Sequence, residues 1–576
     1  MADRMINIKI DGKDLVVPEG TTILKAARKI GIEIPTLCYL DGISENASCG
    51  VCCVEVRKAK SLLRACITKV SEGMEIYTNT PAVRDARRMN VELLLAGHPK
   101  DCPTCDKSET CELRSLASDL GIRKVRFGKT RKRDFDVDST SPSVVRDPNK
   151  CILCGRCIAV CSQIQSVNAI DFVNRGSKTL VSTFFNEGLG NVECANCGQC
   201  ILVCPTGALT EKSSIDDVWK AIHDPKKTVV VQTAPAVRAA IGEEFGMPAG
   251  SLVTGKMAAA LRRVGYDRVF DTQFTADLTI MEEGFELIDR ITNNGVLPLI
   301  TSCSPGWIKF SEHFFPDVLD HLSTCKSPQQ MFGAVAKTYY AEKAGIDPKD
   351  MVVVSIMPCT AKKFEARRPE MGNDVDYVLT TREAAQMIKE AGIDFVNLPD
   401  EDFDHPLGES TGAAVIFGAT GGVMEAALRT AYEVVTKKTL DKLDFTDVRG
   451  LEGIKTAEVD LNGLKVRVAV ANGLGNARKL LEEVQAGKSP YHFIEIMCCP
   501  GGCLGGGGQP IPTNMEVKKK RAEAIYREDA GKPIRKSHEN PAVQAIYKEF
   551  LGAPLGEKSH HLLHTTYTKR GLVKKG

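Results

Sequence analysis

The chain has 576 residues, 43% hydrophobic and 26% charged, with a formal net charge of +2. This is an ordinary globular composition with room for about four domains, and near-neutrality argues against a nucleic-acid or anionic-membrane role. No run approaches the roughly 18 apolar residues of a membrane span. The start, MADRMINIKIDGK, shows no apolar export segment and no twin arginine. With 22 cysteines and no export signal, the thiols are expected to stay reduced in a cytoplasm and to bind metal instead of forming disulfides.

Residues 1–80 read as a small β-rich domain. Alternation in MINIKIDGKDLVV predicts a hairpin turning at Asp11 and Gly12, and residues 22–30 have helical spacing. Cys38, Cys49, Cys52 and Cys66 follow as C-x10-C-x2-C-x13-C. The arrangement resembles the β-grasp [2Fe–2S] domain of plant-type ferredoxins, with a different spacing. Cys53 reads as a buried structural thiol, because Cys49 and Cys52 already form the CxxC pair.

Residues 81–123 are charged, with helical periodicity, and contain His98-x3-Cys102-x2-Cys105-x5-Cys111. One imidazole and three thiolates suit zinc, but flanking cluster motifs favour a [4Fe–4S] centre, whose potential the imidazole would raise. Residues 124–145 read as a connector. Residues 147–212 carry two C-x2-C-x2-C-x3-C runs, the second followed by Pro205. In two-cluster ferredoxins the fourth cysteine of each run serves the other cluster. One [4Fe–4S] centre is therefore expected at Cys151, Cys154, Cys157 and Cys204, and another at Cys194, Cys197, Cys200 and Cys161.

From residue 213 to 513 the texture is α/β. Apolar runs at 228–231, 297–300, 352–356, 413–417, 466–470 and 493–497 predict buried parallel strands separated by helices. Gly473-x-Gly475 and Thr420-Gly421-Gly422 do not complete a dinucleotide fingerprint. Cys303, Cys359 and Cys499 each follow one of these runs, so they should converge at the carboxyl ends of the strands, where open α/β sheets bind ligands. Cys503 runs into glycines 505–508, a backbone able to pass close to a bulky group.

Three segments carry a more specific resemblance. TSCSPGW at 301–307, MPCTAKKFE at 357–365 and EIMCCPGGC at 495–503 resemble the three [FeFe]-hydrogenase signatures, TSCCPxW, MPCxxKxxE and ExMxCxxGCxxGG. The cluster motifs follow the order of the clostridial type, so the resemblance spans nearly the whole chain. It implies an H-cluster, in which a [4Fe–4S] cubane joins a di-iron subsite carrying CO, cyanide and an azadithiolate, and interconversion of H2 with protons and electrons. By motif, Cys359, Cys499 and Cys503 would be cubane ligands, with Cys503 the bridge to the di-iron unit. Lys362 would pair with a cyanide, Met357 and Met497 would pack near the carbonyls, and Ala234, Pro235 and Gln329 would line the pocket. Glu283, Glu286, Ser323 and Arg290 match the family's proton route, and the two glutamates, three apart, share a helix face.

The first signature departs from the family. Its two adjacent cysteines, a proton relay and then a cubane ligand, are here Cys303 and Ser304. Ser304 could ligate as an alkoxide, a harder donor that lowers the cluster potential, or Cys303 could ligate and leave Ser304 as the relay; the second is preferred at this stage. Cys498, beside Cys499, is an extra thiol that could supply either function or pack as a small hydrophobe. Cys325 reads as core.

Residues 514–576 resemble the family's small-subunit-like helical tail. The front end resembles the large electron-transfer subunit of respiratory complex I, which implies ferredoxin or flavin- and NAD-binding subunits as partners. A closed, apolar site fits an anaerobe. A sensory protein on the same fold, for which Ser304 is the best argument, and a non-catalytic wiring or cluster-assembly protein remain the alternatives.

Overall fold

A computed structural model describes residues 4–128, 134–440, 442–461 and 463–571. The first three residues of the expected N-terminal domain, residues 129–133 of the connector and residues 572–576 of the tail lie outside the described residues. Asp11 and Gly12 both take positive φ (47° and 82°), as a two-residue hairpin turn demands. They join strands β1 (Met5–Ile10) and β2 (Lys13–Pro18) in antiparallel register. The helix Ile23–Lys29 starts where the Thr22 hydroxyl accepts the Lys25 N–H. Strands β3 (Cys53–Val56), β4 (Leu63–Arg64) and β5 (Met74–Tyr77) complete a sheet of order β2-β1-β5-β3-β4. Ile6, Ile8 and Ile10 alternate into its core. With β1 and β5 parallel, this is a β-grasp sheet.

Helices Pro81–Ala96 and Glu112–Asp119 bracket the histidine and three cysteines of the next segment. The expected connector is shorter than its sequence suggests. Val144 and Val145 already belong to β6 (Val144–Arg146), where the Val144 side chain joins the core of the ferredoxin-like unit. That unit adds β7 (Asp171–Val173), β8 (Leu180–Ser182) and β9 (Leu209–Glu211), with β6 pairing β9 and β7 pairing β8. In each cysteine run a glycine, Gly155 or Gly198, takes a left-handed φ and starts a short helix, so the two runs repeat one backbone shape.

The α/β unit has two four-stranded sheets. The first joins β10 (Thr228–Thr233), β11 (Arg268–Asp271), β13 (Met351–Met357) and β14 (Tyr377–Thr380), all parallel. The second joins β12 (Leu299–Ile300), β15 (Ile454–Leu461), β16 (Leu464–Asn472) and β17 (Phe493–Met497); only the edge strand β15 is antiparallel. Five of the six expected strands are present. The sixth, 413–417, is helical: Gly412–Val415 runs into the 3-10 turn Ile416–Gly418, with the Thr411 hydroxyl capping Ala414 N–H. This run is buried on every side, so hydrophobicity alone carries no period that separates helix from strand. Thr420-Gly421-Gly422 also has a use of its own. The buried Glu495 carboxylate accepts the N–H groups of Gly421 and Met424 at 2.7 Å and so places the protein's own anion at the start of helix Gly422–Thr436.

The tail packs along this unit through helices Met515–Gly531, Pro541–Ile546 and Glu557–Leu563. Fully buried Glu282 accepts hydrogen bonds from Tyr547, Ser559 and the Leu555 N–H, and meets His564 at 3.1 Å. Arg429, also fully buried, lies 2.6 Å from Glu425 and 2.8 Å from Asp529 of the tail. No helix among the described residues is long and apolar enough to cross a membrane. Arg429→Ala removes the buried cation shared by Glu425 and Asp529, which keep Arg449 and Arg535 as partners, and is expected to destabilise the apoprotein by about 3 kcal/mol, the low end for a broken buried pair. Denaturant unfolding checks this, and an unchanged midpoint would show that the tail is not anchored there.

Candidate catalytic and cluster sites

The cysteines of the front end gather into four groups. Cys52 Sγ lies 3.3 Å from Cys66 Sγ, and the Cys38 and Cys49 thiols act electrostatically on Cys66, so the four thiols lie together. Cys53 stands outside the group, its sulfur 3.8 Å from Val83 O. Cys102 and Cys105 crowd Cys111 in the loops between the two helices, and His98 sits just past the end of the first. Cys151, Cys154, Cys157 and Cys204 line one cavity of about 440 Å³. Cys161, Cys194, Cys197 and Cys200 line another of about 470 Å³. The fourth cysteine of each run thus turns into the cavity of the other.

These groups are packed edge to edge. Cys49 and Cys111 join one apolar cluster with Leu37, Val51 and Leu113. A side chain on Gly207 would come within 2.8 Å of Cys105 Sγ. The loop carrying Cys197 lies against the glycines that follow Cys503. A Cβ on Gly507 would stand 2.3 Å from Cys197 O, and one on Gly506 2.0 Å from Pro358 O. The Gln199 amide donates to Gly505 O at 2.8 Å, and the Thr360 hydroxyl to Asn196 O at 2.7 Å. At these positions the glycines admit neighbouring backbone.

At the ends of β10, β12, β13 and β17 lies a cavity of about 740 Å³. Cys303, Ser304, Cys359, Cys499, Cys503, Ala234, Pro235, Gln329, Met357, Lys362 and Met497 all face it. So do Thr272, Pro358 and Phe417, which the sequence reading did not single out; Phe417 ends the run misread as a strand. The Lys362 ammonium donates to Cys303 O at 3.1 Å and to Glu365 Oε2 at 2.9 Å. Gln329 donates to the same carboxylate at 3.1 Å, which leaves its own Oε1 buried without a partner. The Ser304 hydroxyl accepts the Cys498 N–H at 3.1 Å.

A chain of polar side chains leads outward from Cys303. Burial and then the charge of buried Glu283 push its thiol well up. Burial and then the neighbouring Glu286 raise the Glu283 carboxyl to about 8, against Ser323 and the Ser302 backbone, which favour its ionised form. The Ser323 hydroxyl donates to Glu286 Oε2 at 2.9 Å. Arg290, half-buried, closes the chain 2.7 Å from Glu286 Oε1. Both glutamates are buried, and so is Cys325, whose sulfur lies 3.8 Å from Glu286.

The donor set fits an iron–sulfur group with anionic diatomic ligands. Thiols and an ammonium line it, and methionine, proline and phenylalanine exclude water. The fold and site define a redox protein that conducts electrons through a series of thiol-lined sites into a buried catalytic cavity.

Comparison with known proteins gives the family. Residues 227–507 match the C-terminal domain of the iron-only hydrogenase large subunit, and residues 515–570 the iron hydrogenase small subunit. Residues 3–81 match a 2Fe-2S iron-sulfur cluster binding domain. Residues 87–126 match the NADH-ubiquinone oxidoreductase-G iron-sulfur binding region, and residues 141–210 the ferredoxin-like domain of NADH-quinone oxidoreductase subunit 3. The chain is 55% identical to the NADP-reducing hydrogenase subunit HndD of Solidesulfovibrio fructosivorans, over 98% of this chain and 99% of that one. It is 44% identical to iron hydrogenase 1 of Clostridium pasteurianum, over 98% and 100%. An apo [FeFe]-hydrogenase structure from Chlamydomonas reinhardtii superposes with a TM-score of 0.56 at 45% identity, covering 63% of this chain and all of that one. The chain belongs to the [FeFe]-hydrogenases. It is an oxidoreductase that interconverts H2 with protons and electrons, with accessory iron–sulfur domains of the 2Fe-2S and 4Fe-4S kinds.

With its carboxyl raised to about 8 by burial and Glu286, Glu283 is neutral below about pH 8 and ionises above. Infrared difference spectra should show a protonated-carboxyl band that titrates near pH 8 and vanishes in Glu283→Gln. The same variant should lose about 10²-fold or more of H2 turnover. Full activity in that variant would remove Glu283 from the proton route.

Proposed function

We propose that this chain is the H2-converting subunit of an NAD(P)-linked multi-subunit hydrogenase. The observation that carries the reading is the unbroken contact between thiol sites, from the β-grasp domain through Cys105 and Gly207 to the cavities that meet at Cys197. Cys38, Cys49, Cys52 and Cys66 hold a [2Fe–2S] cluster. His98 with Cys102, Cys105 and Cys111 holds a [4Fe–4S] cluster, and the two ferredoxin-like sets hold one each. The [2Fe–2S] domain and the histidine-containing segment dock a flavin- and NAD(P)-binding subunit. The likeness of residues 87–126 and 141–210 to NADH oxidoreductase parts, and the NADP-reducing name of one relative, support this. Ferredoxin is a second carrier at the same end.

In the central cavity Cys359, Cys499 and Cys503 would hold the cubane of the H-cluster, and Cys503 would also hold the di-iron unit. When bound, this group supplies the iron chemistry of H2 and, through its azadithiolate amine, a site for one proton. The protein's own residues do the rest. Lys362 offers a cation to cyanide, Met357 and Met497 would keep the iron carbonyls dry, and Ala234, Pro235 and Gln329 shape the wall. A proton enters at Arg290 and Glu286, crosses Ser323 to Glu283 and reaches the Cys303 sulfur. The proximity of Cys303 to Glu283 favours Cys303 as the relay and Ser304 as the fourth cubane ligand, the reverse of the preference drawn from sequence.

Two experiments test this. Ser304→Cys should raise the cubane's reduction potential and change its paramagnetic spectrum, since oxygen is the harder donor, while Cys303→Ala should abolish turnover with the cubane spectrum intact; the opposite pattern would exchange the roles. The matured chain alone should exchange electrons with viologen and gain NAD(P)H-dependent H2 formation only on addition of a flavin subunit. Failure to bind any such subunit would leave ferredoxin as the sole carrier.

A further inference from the structure

Glu286, Cys325 and His564 come from three separate elements and are all buried. Glu286 lies on helix Thr272–Thr292, Cys325 in the loop before helix Pro328–Val335, and His564 just past helix Glu557–Leu563 of the tail. Cys325 and His564 face each other across an antiparallel bridge. The Lys326 N–H donates to Leu563 O and the Thr565 N–H to Thr324 O, both at 2.7 Å, and these bonds hold the two segments together. One carboxylate oxygen, one sulfur and one ring nitrogen thereby lie within 4.8 Å of one another.

The partners of these groups show what they can bind. Cys325 Sγ stands 3.8 Å from Glu286 Oε2, while Arg290 takes the other oxygen, Oε1, at 2.7 Å. His564 Nε2 meets Glu282 Oε2 at 3.1 Å. A carboxylate behind a histidine fixes the ring and makes its other nitrogen a better metal ligand. That nitrogen, Nδ1, now has only the Thr324 hydroxyl, 2.7 Å away. Ligand atoms around zinc stand about 3–4 Å apart, so small side-chain rotations complete the set. Cys325 also lines a cavity of about 250 Å³ with Ser302, Lys326 and Tyr567, which leaves room for a water as fourth ligand. A thiolate, an imidazole and a carboxylate select a borderline-soft cation over magnesium or calcium.

We propose that Glu286, Cys325 and His564 form a binding site for a thiophilic divalent cation, Zn2+ in the first place, whose occupation takes Glu286 out of the proton route and leaves the electron path intact. Binding replaces the Cys325 S–H bond by a sulfur–zinc bond and releases one proton to solvent; nothing is oxidised or reduced. Arg290 on the same carboxylate opposes a second cation, so the metal is held loosely enough for a chelator to remove it. The inference rests on the reading of Glu286 as a proton carrier.

The test uses the matured holoenzyme with zinc chloride, read by metal content per chain, by X-ray absorption at the zinc edge and by viologen-linked H2 turnover. The expected result is one zinc per chain with one sulfur and otherwise nitrogen and oxygen neighbours, unchanged iron, and turnover lowered about 10²-fold and restored by EDTA. Cys325→Ala and His564→Gln, each compared with its own zinc-free rate, should lose both the zinc and the inhibition. No retained zinc, zinc surrounded by sulfur alone, or equal inhibition in both variants would overturn the proposal. Zinc bound with one sulfur and turnover untouched would overturn the gating role. Glu286→Gln then tells the two readings apart, since full turnover in that variant would remove Glu286 from the proton route itself.

Discussion

The molecule depends on one close approach of backbone to backbone. Glycines 506 and 507 lie against Pro358 O and Cys197 O at distances that exclude a Cβ, and Gly198 presses on Thr360 in the same way. Larger side chains there would hold the ferredoxin-like unit off the α/β unit and leave an insulating layer between two electron sites. Because nothing intervenes, Cys197 serves both cavities. The loop is held by directional bonds from Gln199 and Thr360 to main-chain oxygens, so the junction is fixed by geometry more than by apolar area.

Cys359, Cys499 and Cys503 line the central cavity together with Cys197 of the ferredoxin-like unit, and Cys303 lines it too. The Lys362 ammonium is tied to the Cys303 carbonyl and to Glu365. Ser327 and Gln329 share that carboxylate, so the cation is held by a bonded network in place of bulk water. A buried charge that is paired and hydrogen-bonded keeps its position at tolerable cost, and here the position matters more than any gain in stability.

Much of this was legible in the amino-acid order. Cysteine spacing located each group, the Asp11-Gly12 turn set the first hairpin, and β17 ends where its apolar run ends. What failed did so for physical reasons. The run 413–417 is apolar throughout and buried on all sides, so it carries no period. Strands β11 and β14 are four residues long with polar or aromatic ends and are fixed by parallel pairing with distant strands. The glycines 505–508 announced a close approach but not its partner, which is the backbone of another domain. Spacing could not relate Cys303 to Glu283, because the two lie on separate elements and act on each other only in the fold.

Glu282 and Glu283 are neighbours on one helix, so their side chains point about 100° apart. The tail grips the first through Tyr547, Ser559 and His564, and the second faces the cavity. Tyr567 also donates to the carbonyl of Ser323. The tail therefore sets the rotation of the helix that carries Glu283 and holds the backbone of Ser323, whose hydroxyl meets Glu286. The cysteine-rich front precedes it in the chain and can begin to fold as a unit. The order of synthesis thus places the thiol groups before the glutamate helix is seated, and that helix takes its final setting only when the tail docks.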